Sequence, residues 1–315
     1  MPEITDTIAR WTAAALLVSA SGCNVVRMTE NRLERRYTRA DLSAHTLHAT
    51  GLELAYRDSG PHASSQHTPV LLLHGFGASA IWQWPHQVEA LAKTRRVIVP
   101  DLLWFGESIA AVEDFSLDAQ VHTVQLLLAE LELDRVDVVG VSYGGLVAHE
   151  LAVNEPDRVR KLVLVDSPGR AFSLPEYRAL CARFEVQSAA EFLIPTDIAG
   201  VQVLLELAYE RPPRAPDWAK RQILTGLYAN HPTQKAALID TLVADIDEFS
   251  SRPLPAPRPT LVVWGEHDPV FPLDAGQRLT KMLDATLVVI PDARHAPNME
   301  HPEAFNHALI EFLDQ

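Results

Sequence analysis

The stretch Arg135-Val136-Asp137-Val138-Val139-Gly140-Val141-Ser142-Tyr143-Gly144-Gly145, followed by Leu146-Val147-Ala148-His149-Glu150-Leu151-Ala152, decides the fold. Its first part is an apolar run that reads as a buried strand, and its last part reads as a helix. Between them lies a G-x-S-x-G turn. The flanking glycines let the chain reverse sharply and hold Ser142 in a strained backbone conformation, its hydroxyl raised above the sheet edge. The pentapeptide alone recurs by chance. Its place between a strand and a helix makes it specific and marks Ser142 as a candidate nucleophile.

Outward from this turn the chain alternates short apolar runs with helical stretches. Leu47 to Asp58 reads as a hairpin turning at Thr50-Gly51. Val70–Leu73, Arg96–Val99, Val136–Val141, Leu162–Val165, Thr260–Trp264 and Thr286–Ile290 read as strands. Ile81 to Ala92 and Ser116 to Leu131 read as helices, the second capped by Ser116. Strands apolar along their whole length, separated by helices, predict an α/β fold: a mostly parallel sheet of about eight strands with helices on both faces. One stretch breaks the alternation. Residues 168–258 contain no clear strand and are aromatic, helical and punctuated by proline, with Pro212-Pro213 midway. They read as a helical cap inserted between two parts of a core, 46–167 and 259–315. The insertion leaves the sheet at the carboxyl ends of its strands, where ligands bind in open α/β sheets. Pro253 to Pro259 reads as a stiff return linker.

The chain has 315 residues, 47% of them hydrophobic and 22% charged, enough for one large α/β domain with an insertion. Its formal charge is −14, from 27 basic and 41 acidic side chains. Such a surface repels nucleic acid and anionic lipid, so attachment to a membrane needs an apolar or covalent anchor. Two cysteines, Cys23 and Cys181, cannot build a disulfide framework. Neither Cys-x-x-Cys nor His-Glu-x-x-His occurs, and no metal site or cofactor is expected.

Trp11 to Ala20 is too short to span a bilayer but has the length of a signal-peptide core, and Ala20-Ser21-Gly22-Cys23 follows. This resembles the lipobox of bacterial lipoproteins. The resemblance implies that residues 1–22 are a signal, that Cys23 becomes the lipidated N-terminus, and that the protein is held at a membrane of the cell envelope. The alternative is an apolar N-terminal helix that stays attached, with the protein in the cytoplasm. Residues 23–45, rich in arginine, then read as a solvated helix or tether.

Three further segments complete a pattern. His74-Gly75-Phe76-Gly77 directly follows a strand, Trp264-Gly265-Glu266-His267-Asp268-Pro269 follows another, and Asp292-Ala293-Arg294-His295 follows the last. With the Ser142 turn, these resemble the α/β-hydrolase fold family from about residue 46 to the end. The resemblance implies a catalytic triad of Ser142, Asp268 and His295 in the order nucleophile, acid, base. It also implies an oxyanion hole made by the backbone N–H groups of Phe76 and Tyr143. Asp166, at the end of the strand after the elbow, and Glu266 are alternatives for the acid. His301 reads as a surface or capping residue, His149 as core or surface, and Pro100 to Ser108 as a structural loop.

A serine in the nucleophile position, where dehalogenases and epoxide hydrolases of this fold carry aspartate, implies an acyl-enzyme and ester or related acyl substrates. The cap and the membrane-directed N-terminus resemble bacterial lipases and esterases and the monoacylglycerol-lipase-like branch. Hydrolysis of medium-chain or monoacylglycerol-type esters is therefore expected. The alternatives are a carbon–carbon bond hydrolase of ring-cleavage products, a cofactor-free perhydrolase, and a ligand-binding protein on a hydrolase scaffold.

Overall fold

A computed structural model describes residues 24–61, 67–77, 79–254 and 256–315. The expected signal at 1–22 and the expected lipidation site Cys23 lie outside the described residues. The described residues open with helix α1 (Val25–Arg39), then the hairpin β1 (Ser43–Ala49) and β2 (Leu52–Asp58). The core continues with β3 (Val70–Leu73), α2 (Ala80–Gln83), α3 (Pro85–Leu91), β4 (Val97–Pro100), β5 (Ile109–Ala110), α4 (Leu117–Glu130), β6 (Val136–Val141), α5 (Tyr143–Asn154) and β7 (Val159–Val165). A helical insertion follows: α6 (Leu174–Arg183), α7 (Ala190–Leu193), α8 (Ile198–Ala208), α9 (Asp217–Ile223), α10 (Pro232–Ala244) and α11 (Ile246–Ser251). The core closes with β8 (Thr260–Gly265), α12 (Leu273–Leu283), β9 (Thr286–Ile290), α13 (Pro297–Glu300) and α14 (Pro302–Asp314).

The sheet has nine strands in the order β1-β2-β4-β3-β6-β7-β8-β9, with short β5 paired to β2. Strands β1 and β2 are antiparallel to each other, and β2 is antiparallel to β4 and β5. From β4 to β9 every pairing is parallel. Alternation along the strands explains their continuous apolar character. Leu71, Leu73, Val138, Leu162, Leu164 and Val262 feed the core under α4, α5 and α12. Val70, Leu72, Val139, Val141, Val163 and Val165 feed the opposite core, with Trp84, Val88, Phe305 and Leu309. The insertion has an apolar cluster of its own, including Tyr177, Phe192, Leu207 and Ile239.

The structure corrects three readings. The expected helix from Ile81 to Ala92 is two helices, because Pro85 cannot continue α2 and instead starts α3, with Trp84 buried between them. Residues 24–45 are not a free tether. Val26, Leu33 and Tyr37 form a buried stripe along α1, the Tyr37 hydroxyl donates to the Ala80 carbonyl at 3.0 Å, and Arg36 pairs with Glu89 at 2.6 Å. Strand β5 went unread because two residues show no alternation.

Candidate active site

Ser142 caps α5 with φ 51° and ψ −117°, a positive-φ conformation that a residue with a side chain rarely adopts. Its N–H donates to the Val165 carbonyl at 2.9 Å, and its own carbonyl accepts from Gly145 at 2.9 Å and Leu146 at 3.2 Å. The turn is therefore pinned on both sides. A Cβ on Gly140 would collide with the Gly144 carbonyl, and one on Gly144 would collide with the carbonyls of Leu73 and His74. The two glycines of the motif are thus required by close approach, which packs the elbow against the loop after β3.

The structure brings Ser142, His295 and Asp268 together from three loops. His295 Nε2 is 2.9 Å from Ser142 Oγ, and His295 Nδ1 is 2.9 Å from Asp268 Oδ2. The Asp268 side chain is fully buried, and its Oδ1 accepts the N–H groups of Val270 at 2.7 Å and Phe271 at 3.2 Å. A carboxylate fixed this way holds the imidazole with Nδ1 protonated and Nε2 free to take a proton from the serine.

Neither alternative acid is the one bonded to the imidazole. Glu266 is half exposed and accepts from the Asp292 N–H at 3.2 Å. Asp166 is buried close to Asp268 and His295, and its Oδ1 accepts the Gly265 N–H at 2.8 Å while its Oδ2 has no partner among the described residues. Burial, reinforced by the Asp268 charge, holds the Asp166 carboxyl well above the usual carboxylate range. Asp166 thus favours its neutral form, whereas Asp268 is the carboxylate bonded to the imidazole. Within this cluster the hydrogen bond is the one between His295 Nδ1 and Asp268 Oδ2.

Tyr143 is the first residue of α5, so its N–H has no partner inside the helix. The loop bearing Phe76 abuts the elbow: a Cβ on Gly75 would touch Ser142 Cβ at 3.4 Å, and the Phe76 and Tyr143 rings meet edge to face at 5.8 Å. The sequence did not reveal what holds this loop in place. His74 is buried, with Nδ1 2.7 Å from the Gly75 carbonyl and Nε2 accepting the Leu102 N–H at 2.9 Å. Burial lowers its pKa to about 4, so it stays neutral and can serve as donor and acceptor at once. Asp101 in the adjoining loop accepts the Ala80 N–H at 2.7 Å, and burial raises its pKa to about 6. Within the loop from Pro100 to Ser108, the Ser108 hydroxyl donates to the Asp101 carbonyl at 2.7 Å. His301 caps α14, and His149 is a core residue stacked edge-on against Phe249.

A cavity of about 440 Å³ runs from Ser142 and His295 into the insertion, past Phe172, Phe192, Leu204, Tyr228 and Ile239. Among the described residues, no Lys, Arg, Asp or Glu lines it. Lys235 lies outside the lining, its ammonium 5.3 Å over the Phe105 ring. Contacts that sequence patterns do not show fasten the insertion to the histidine loop. The His295 N–H donates to the Leu207 carbonyl at 3.2 Å, and Arg294 Nε donates to Glu210 at 2.9 Å.

A doubly covered parallel sheet with a serine elbow, an adjoining glycine loop and a histidine–aspartate pair at its carboxyl edge defines a hydrolase of the α/β class. The chain belongs to the alpha/beta hydrolase fold family, whose model matches residues 68–302. It is 31% identical over 262 residues to 2-hydroxymuconate semialdehyde hydrolase of Pseudomonas sp. strain CF600, covering 80% of this chain and 89% of the relative. Two solved structures share the fold at 22% identity. A membrane phospholipase A, titled a novel bacterial virulence factor, superposes with a TM-score of 0.75 over 100% of this chain and 98% of its own. A putative lipase of Acinetobacter baumannii AYE superposes with a TM-score of 0.74 over 90% of this chain and 95% of its own.

Proposed function

We propose that the protein hydrolyses uncharged carboxylic esters with an apolar acyl group, medium-chain or monoacylglycerol-type, through an acyl-enzyme on Ser142. The cavity carries this reading: it is long, apolar and free of charged side chains. A substrate carboxylate buried there would meet no compensating cation, at a cost of several kcal/mol. An acyl chain loses nothing by entering.

The reaction follows from the geometry. Ser142 Oγ attacks the ester carbonyl carbon while His295 Nε2 takes its proton. The N–H groups of Phe76 and Tyr143 meet the charge that builds on the carbonyl oxygen, each such donor contributing about 10²–10³ in rate. The C–O bond to the alcohol breaks, and the alcohol leaves with the proton from His295. Water then gives a proton to His295 and attacks the acyl carbon. Oγ leaves and recovers its proton, and the carboxylic acid is released.

A second reading is a carbon–carbon bond hydrolase of ring-cleavage products. The relatives favour it: the 31%-identical one is named a 2-hydroxymuconate semialdehyde hydrolase, and another, 26% identical, acts by its name on a dienoic acid. The two readings separate on purified full-length protein offered p-nitrophenyl esters from acetate to palmitate and, separately, a vinylogous diketo acid. The ester reading predicts a medium-chain optimum and little turnover of the acid. Turnover of the acid with none of any ester would overturn it in favour of the second reading.

We also propose that Cys23 is lipidated and holds the protein at an envelope membrane, on the strength of the Ala20-Ser21-Gly22-Cys23 sequence. Cys23→Ser should then abolish the added lipid mass on the mature protein. An unmodified, intact N-terminus in the parent protein would contradict this.

A further inference from the structure

Met28, Arg32, Arg35 and Arg39 recur at intervals of four, three and four residues along α1, and all four are exposed. This spacing puts them in one stripe along the helix. The stripe that docks on the body is a different one, Val26, Leu33 and Tyr37. The outward stripe is therefore basic, with a methionine 58% exposed at its amino end.

That end of α1 meets the insertion. The Val25 N–H donates to Gln222 Oε1 at 2.8 Å, and Val26 packs at Gly226. Trp218 is one helical turn before Gln222 on the same face of α9, and it is 52% exposed. Four further basic residues flank it in sequence: Arg211, Arg214, Lys220 and Arg221. Residues 24–40 and 209–228 together hold nine of the chain's 27 basic side chains against four acidic ones, in a protein of net charge −14. Among the described residues, none of Arg27, Arg32, Arg35, Arg39, Arg211, Arg214 and Arg221 takes part in an ion pair with another described residue.

An exposed tryptophan and methionine beside a field of uncommitted arginines is the chemistry of a surface that meets anionic lipid. The aromatic and thioether groups enter the headgroup boundary and the guanidinium groups pair with phosphates. Each basic residue near such a surface adds to the attraction. The position agrees with the chemistry. Ile223 at the end of α9, and Leu227 and Tyr228 just after it, line the cavity, so the face covers the outside of a cavity wall. Asn24, which caps α1, directly follows Cys23 in sequence.

We propose that the outer face of α1 and the Trp218 end of α9 form a lipid-docking surface for an anionic bilayer. It acts in addition to any covalent anchor at Cys23 and does not depend on which bond the enzyme cleaves. The face is an island of positive charge on an acidic molecule, so it orients the protein: the rest of the surface is repelled by the same membrane.

The test uses the full-length chain carrying Cys23→Ser, so that no lipid can be attached. It is sedimented with vesicles of phosphatidylcholine alone or mixed with phosphatidylglycerol. Residues 1–22 are present in every variant, so differences between variants report the face. The expected result is preferential binding to the anionic vesicles, weakened at high salt. Binding should be at least tenfold weaker in Arg32→Glu/Arg35→Glu/Arg39→Glu and weaker in Trp218→Ser. It should be unchanged in Arg135→Glu, at the opposite end of β6. A second measurement does not depend on charge reversal. A polarity-sensitive dye on Trp218→Cys should shift to shorter wavelength on anionic vesicles, Cys181 being buried. Equal binding to both vesicle types, binding untouched by the variants with no dye shift, or no binding at all would overturn the proposal. So would a dimer in sedimentation that these variants dissociate, which would assign the face to a second copy of the chain.

Discussion

Asp166 and Asp268 crowd a single imidazole, and their surroundings divide the work between them. Asp268 accepts two backbone N–H groups as well as His295, whereas Asp166 accepts one and has an oxygen with no partner among the described residues. A neutral Asp166 can be replaced by an amide of the same shape. Asp166→Asn is therefore expected to keep turnover within about tenfold, whereas Asp268→Asn loses about 10⁴ in kcat by fixing the wrong imidazole tautomer. Equal losses in the two variants would contradict the division. His74 supplies a second test at this scale. Its pKa is lowered from an ordinary 6.5 to about 4, so between those values the unfolded chain binds more protons there than the folded one. Its contribution to stability is thus lost as pH falls from 6.5 through 4. His74→Gln removes that dependence, and its urea midpoint is expected to fall less than the parent's between pH 7 and pH 5. Ser142, Asp268 and His295 were legible because each sits at a strand end in a recognisable turn. The part played by His74 was not, because it depends on a contact with Leu102 across 28 residues.

Among the elements, the parallel strands were the most legible, since both faces are covered and the apolar runs are unbroken. Helix α1 was the least legible: five arginines dominate its composition, while only Val26, Leu33 and Tyr37 carry its packing. The break between α2 and α3 was written in the Trp84-Pro85 pair, but the apolar periodicity runs through it. The elbow is where element and chemistry meet. Gly144 lets the start of α5 approach the carbonyls of Leu73 and His74 within a distance no side chain permits. Gly144→Ala must push α5 away from the loop that bears Phe76. It is expected to cost about 1–3 kcal/mol in stability, as overpacking does, and to lower kcat more than it raises KM. Unchanged kcat in a folded Gly144→Ala protein would show that the loop and the elbow are not mechanically linked.

At the scale of the whole molecule, the insertion is fastened to the core at both ends by one buried carboxylate. Glu150 on α5 pairs with Arg170, where the chain enters the insertion, and with Arg252, where it leaves, at 3.3 Å. The Ser250 hydroxyl ties the same two ends by donating to the Phe172 carbonyl at 2.9 Å. The histidine loop is in turn bonded to Leu207 and Glu210 of the insertion. The elbow helix, both ends of the insertion and the His295 loop thus form one connected body around the apolar cavity. Sequence alone placed the insertion over the strand ends. It could not give these joints, which link residues far apart in the chain, nor the charge-free lining of the cavity. The account rests on an acyl group passing through Ser142. Intact-mass measurement after acid quench of the protein with a medium-chain p-nitrophenyl ester tests this directly. The account predicts a mass increase equal to the acyl group, located on Ser142 and absent, together with turnover, in Ser142→Ala. Ester turnover that survives Ser142→Ala, or an acyl group found on another residue, would contradict it.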